Sequence, residues 1–123
     1  MILADTSVWV AHLRTGDAAL ARLLNDNKIL AHPFVIGELA LGNLRHRQTV
    51  LEMLNLLPTA VIASHEETLA FIEKNRLAGV GIGYVDVHLL AATRLTAGAT
   101  LWTRDRKLRG AAVLLALAAK ELA

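Results

Sequence analysis

Hydrophobic positions along the chain fall into short apolar runs separated by longer stretches with helical spacing. Residues 2–4 are apolar and end at Asp5, and Thr6 and Ser7 follow as good helix N-caps. This predicts a strand over 2–5, then a helix to about residue 13, stopped by Gly16. Asp17 caps a second short helix with a stripe of Leu20, Leu23 and Leu24. Asn25-Asp26-Asn27 reads as a turn and 28–32 as the next strand, after which Pro33 suits the first position of a helix to about Gly42. A helix over about 48–57 carries Val50, Leu51, Leu54 and Leu57 on one stripe and closes at Pro58. Residues 59–63 form a third β-like run, and Ser64 with Glu67 has the spacing of a capping box for a helix to about 77. Gly79, Gly81 and Gly83 mark a loop, a helix over about 85–97 ends at Gly98, and 99–103 is a fourth strand. The tail from Lys107 reads as a short helix with a fifth, edge strand.

Strands alternating with helices imply an α/β fold: a parallel sheet of four to five strands, in the order 3-2-1-4-5, with helices on both faces. The 123 residues show no repeat, linker or low-complexity stretch and suit a single domain over 1–123. With 54% hydrophobic but only 4% aromatic residues, the core must be built mainly from Ala and Leu, and disorder is excluded. The apolar run over 111–119 is nine residues long, against the ~20 needed to cross a bilayer. The N-terminal stretch lacks a basic leader, and there is no cysteine, so neither a secretory signal nor a thiolate metal site is expected. The natural location for such a chain is the cytoplasm.

The acids change the picture. Glu66, Glu67 and Glu73 share a polar face with Lys74 and Arg76, Asp17 and Asp26 are cap and turn residues, and Glu52 and Glu121 are expected in solvent. Four others do not fit so easily. Glu38 is mid-helix, where it caps nothing, with Phe34, Val35 and Leu41 at helical spacing around it. Asp5 ends the first strand, Asp105 lies just beyond the fourth, and Asp86 opens the helix before it; taken singly, each has a plain reading as a cap or turn residue. Strand ends and helix N-termini meet at the carboxyl edge of a doubly wound sheet, so with strands one and four flanking the switch point all four face one crevice. Carboxylates so crowded resist joint ionisation, and a divalent cation resolves the conflict. Oxygen-only ligation selects Mg²⁺ or Mn²⁺, which suits phosphodiester hydrolysis. Ser7 and Thr103 stand beside the cluster as supporting hydroxyls. If four acids are sequestered there, 13 Lys and Arg face seven remaining acids, a surface suited to a polyanion.

These residues resemble a known family. Asp5-Thr6-Ser7, Glu38 within Pro33-Phe34-Val35-Ile36-Gly37-Glu38-Leu39, Gly83-Tyr84-Val85-Asp86 followed by Leu90-Ala91-Ala92, and Thr103-Arg104-Asp105 together resemble the PIN-domain nucleases. Within these, the likeness is to the small VapC-type toxins of toxin–antitoxin pairs and runs over essentially the whole chain. The resemblance implies an endoribonuclease in which Asp5, Glu38, Asp86 and Asp105 hold Mg²⁺ or Mn²⁺ and serve catalysis. It also implies a homodimer restrained by a small, VapB-like antitoxin whose tail occupies the active-site groove.

Arg104, Arg106, Lys107 and Arg109 flank Asp105 and are candidates for contacts to RNA phosphates or to an acidic antitoxin segment. The same charges also suit ordinary solvation, as do Arg45 and Arg47. The five histidines are scattered without zinc-ligand spacing. Two other functions stand beside the nuclease: a catalytically silent PIN-like module acting through its partner, and a receiver-type phosphoacceptor domain. The first has no use for a carboxylate at Glu38. The second wants an acidic pair after strand one and an Asp after strand three, where this chain has a single Asp5 and Ile62-Ala63-Ser64.

Overall fold

The apolar run at the N-terminus forms β1 (Ile2–Ala4), the central strand of the sheet in the computed structural model, which describes residues 1–120. Leu3 and Ala4 are fully buried. Parallel partners flank the strand on both sides: β2 (Ile29–Leu30), with Ile2 opposite Ile29, and β3 (Thr100–Trp102), with Leu3 opposite Leu101. Glu121 and the end of the expected 1–123 domain lie outside the described residues.

The sheet has three strands in the order β2-β1-β3, not four to five. The expected strand over 59–63 is reduced to one bridge, Thr59 to Ala31. Ala60 donates its N–H to the Ala31 carbonyl at 2.9 Å, but the next N–H, from Val61, goes to the Thr96 hydroxyl at 2.9 Å and the ladder stops. Val61 and Ile62 are consequently about half exposed. On the other edge the tail makes one bridge, Ala118 to Leu101, in place of a fifth strand. Neither edge run continues its ladder beyond this one bridge.

Seven helices complete the described residues: α1 (Thr6–Thr15), α2 (Ala18–Asn25), α3 (Pro33–Leu41), α4 (Arg47–Leu56), α5 (His65–Lys74), α6 (Tyr84–Leu95) and α7 (Arg106–Leu114). The starts follow local chemistry. Asp17 accepts the Leu20 N–H at 3.0 Å, and Ser64 and Glu67 form both halves of the capping box. Asp5, rather than Thr6 or Ser7, is the N-cap of α1. The α5 helix stops at Lys74, short of residue 77, because Asn75 ends it and Arg76 takes a left-handed conformation (φ 54°). Leu20 and Leu54 are buried, and their stripe-mates Leu23, Leu24, Val50, Leu51 and Leu57 pack against the core. The run from Val87 to Thr93 in α6 is buried throughout, which makes this helix the inner wall behind the sheet edge.

His32 follows β2 and caps α3, its Nδ1 accepting the Phe34 N–H at 3.0 Å. The proton of the neutral ring therefore sits on Nε2, which is buried with no partner among the described residues. Burial, helped by the positive charge His88 acquires on protonation, lowers the His32 pKa to about 4. The unfolded ring titrates near 6.5, so its stabilising contribution is whole above that pH and is lost as pH falls toward 4. The titration of His32 by itself should account for a loss of roughly 3 kcal/mol over this window. His32→Asn, which keeps a cap but cannot titrate, should give a visibly flatter profile of urea midpoint against pH.

Candidate active site at the carboxyl edge of the sheet

Asp5 leaves β1 and immediately caps α1, so its carboxylate is held in the sheet edge at only 5% exposure. Its Oδ1 accepts from the Ser7 hydroxyl at 2.5 Å and the Val8 N–H at 3.3 Å, and its Oδ2 accepts from the Thr103 hydroxyl at 2.6 Å. The two hydroxyls also lock the neighbouring strand end. Ser7 Oγ accepts the Arg104 N–H at 2.9 Å, and Thr103 Oγ1 accepts the Asp105 N–H at 3.0 Å. Residues 98 apart in the chain are thereby fixed side by side. Burial pushes the Asp5 pKa up, and the four hydrogen bonds, from Ser7, Thr103, Val8 and the Ser7 backbone, draw it partly back.

Asp86 is the third residue of α6, and its Oδ2 accepts the Gly83 N–H at 3.3 Å. Half-burial raises its pKa, the Gly83 contact opposes the rise, and the charges of Asp105, Asp5 and Glu38 each push it further up. Charge from three other stretches of chain therefore reaches Asp86. Asp105 caps α7, accepting the Leu108 N–H on Oδ1 at 2.9 Å, so its plain capping role is met while it also faces the site.

Glu38 differs from expectation in its surroundings. Its helix turns Val35 and Leu39 into the core, which leaves Phe34, Glu38 and Leu41 on the outer face; Glu38 is exposed. What ties it to the site is Thr6, whose hydroxyl donates to Glu38 Oε1 at 2.6 Å. Thr6 follows Asp5 directly, so α1 presents one acid and holds another. The Asp5-Thr6-Ser7 triplet displays the hydroxyl, but a residue read as a helix cap gives no hint of a partner 32 positions away.

Among the described residues no group of three or more His, Cys, Asp or Glu side chains stands close enough together to hold a metal ion. Asp5, Asp86 and Asp105 each accept from a donor within three residues, whereas Glu38 accepts from Thr6, 32 positions away. Arg104, Arg106, Lys107 and Arg109 are all exposed, and Lys107 lies over the loop before α6, where a Cβ on Gly81 would meet its Nζ at 3.0 Å. A groove of about 470 Å³ opens beside Glu38 and is lined by Val10, Leu13, Arg14, Leu39, Leu44 and Arg45. Arg14, at the end of α1, was not apparent as a site residue from sequence.

Comparison with known proteins decides the family. The PIN domain model matches residues 2–114. The chain belongs to the PIN-domain family, in its VapC-type branch. Curated relatives named Ribonuclease VapC32, from Mycobacterium tuberculosis strains CDC 1551 / Oshkosh and H37Rv, are each 48% identical over 111 residues, covering 90% of this chain and 90% of their own. In this PIN domain the hydroxyl bridge at Thr103 holds the first acid. Thr103→Val removes a donor to a buried carboxylate and an acceptor for the Asp105 N–H, which should cost about 1–3 kcal/mol. The urea midpoint should fall with the denaturant slope unchanged, and Thr103→Ser should recover most of it.

Proposed function

We propose that this PIN domain is a Mg²⁺- or Mn²⁺-dependent endoribonuclease, the toxin of a toxin–antitoxin pair. It hydrolyses RNA phosphodiester bonds in the cytoplasm, works as a homodimer with one domain per chain, and is restrained by a small VapB-like antitoxin. The observation that carries the reading is geometric: the Thr103 hydroxyl donates to the buried Asp5 carboxylate at 2.6 Å and accepts the Asp105 N–H at 3.0 Å, tying two acids 100 positions apart to one sheet edge. The relatives' printed name, a ribonuclease, supports the same chemistry.

The donor set fits a hard dication. It is all carboxylate oxygen, with no cysteine in the chain, and repulsion within it is relieved by positive charge. Asp5, Glu38, Asp86 and Asp105 would hold the ion. When bound, the ion supplies a Lewis acid toward phosphate oxygens. The chain's own residues do the rest. Ser7, Thr103 and the Val8 N–H fix the buried Asp5 carboxylate in orientation, so little reorganisation is needed on binding. Thr6 holds Glu38 at the open side, where it can close on a ligand from solvent. Arg104, Arg106, Lys107 and Arg109 give the exposed positive charge that positions the backbone of a polyanion without reading its sequence. The groove beside Glu38, where Val10, Leu13, Leu39 and Leu44 mix with Arg14, Asn43 and Arg45, suits an antitoxin tail bearing apolar and acidic residues.

Purified protein should cleave single-stranded RNA with Mg²⁺ or Mn²⁺ and stop on addition of EDTA. Asp5→Asn and Asp86→Asn should each lower the rate more than about 100-fold while circular dichroism stays native. Undiminished cleavage by either variant would overturn the assignment.

A further inference from the structure

The chain has two Trp, one Tyr and two Phe, and among these only Phe34 and Tyr84 are exposed residues, at 37% and 43%. Both sit at the same edge as the acids. Phe34 lies one turn before Glu38 on the outer face of α3, and Tyr84 is the first residue of α6, two before Asp86. Trp9 is buried, and Phe71 and Trp102 pack against the core.

The two exposed rings are joined through a third. The buried His88 ring meets Phe34 edge-to-face at 4.7 Å and 73°, and meets Tyr84 at 4.6 Å and 90°. His88 is itself fixed, its Nδ1 3.2 Å from the hydroxyl of the buried Thr68. The row continues outward at both ends, through His32 against Phe34 at 5.3 Å and through His65, whose Nδ1 hydrogen-bonds the Tyr84 hydroxyl. Core packing explains His88 and His32. It does not explain why Phe34 and Tyr84, braced by these contacts, both stay exposed at the edge that carries the acids.

We propose that Phe34 and Tyr84 form a stacking platform for unpaired bases of an RNA strand, positioned so that its backbone enters the carboxylate site. The platform rests on the ribonuclease reading and names its substrate class: single-stranded or looped RNA, whose bases are free to stack. Three features favour this occupant. Base stacking on aromatic rings is tolerant of sequence and needs exposed rings on a firm support, and both rings here are exposed and braced. The bracing by His88 and Thr68 removes side-chain freedom before binding, so less entropy is lost when a base docks. The platform is also continuous with the acids through α3 and α6, so a strand lying on it passes Glu38 and Asp86. A paired duplex hides its base faces and has no use for such a surface.

The test is equilibrium binding, by fluorescence anisotropy in EDTA so that the strand is not consumed. The probes are a labelled mixed-sequence single-stranded RNA and a strand of equal length with abasic sites throughout. Wild-type protein should bind the RNA more tightly than the abasic strand. Tyr84→Ala and Phe34→Ala should each weaken RNA binding by about fivefold or more, the loss expected for one stacked base, and leave the abasic strand unaffected. Tyr84→Trp should restore binding of the RNA. Alanine variants that bind RNA like wild type, or that lose both probes equally, would overturn the platform. If wild type cleaves RNA with Mg²⁺ while the alanine variants bind normally, the platform falls and the ribonuclease reading stands. If wild type neither cleaves nor binds RNA, both fall.

Discussion

Asp5 holds an ionisable carboxyl almost out of water at the end of the central strand, and burial alone works against its charge. The structure answers that cost with directed donors: two hydroxyls and a backbone N–H converge on the carboxylate, and the hydroxyls are themselves pinned by the strand end carrying Asp105. The register of β1 against β3 is what brings Thr103 within reach of Asp5. Sheet pairing, helix capping and the candidate chemistry therefore share the same few atoms. A residue that ends a strand, caps a helix and carries charge leaves little freedom to the segments around it.

The remaining acids are arranged by decreasing enclosure. Asp86 is half-buried at a helix start, while Asp105 and Glu38 stand on the open side. Repulsion is tolerable in this gradient because the outer two carboxylates keep their hydration. The one deeply placed acid is the one with the most hydrogen bonds. Such an order leaves the proposed ion and RNA strand an open approach from solvent.

Much of this was legible in the sequence because its causes are local. The cap at Asp17, the Ser64–Glu67 box and the proline opening α3 are written in neighbouring residues, and the structure has each in place. The placement of Asp5 at a strand end, and of Asp86 and Asp105 at helix starts, was legible too, since strand ends and helix starts share one edge in any parallel α/β sheet. What failed depended on partners distant in the chain. Glu38 has apolar neighbours at helical spacing, but Phe34 and Leu41 turned out to share its exposed face, and no local pattern distinguishes an apolar flank that is buried from one that is not. The run over 59–63 has strand composition, yet Thr96 takes its next N–H and ends the ladder. Thr6 as the holder of Glu38, and His88 as the brace between Phe34 and Tyr84, exist only once α1, α3 and α6 are packed.

The central claim is that four carboxylates from distant parts of the chain jointly bind one hard dication. Direct Mn²⁺ binding, followed by electron paramagnetic resonance of the free ion, tests it with no RNA present. Wild-type protein should bind Mn²⁺, and Glu38→Gln, the change at an exposed member held by Thr6, should weaken binding about tenfold or more. A Glu38→Gln protein that folds normally and binds Mn²⁺ with unchanged affinity would contradict it.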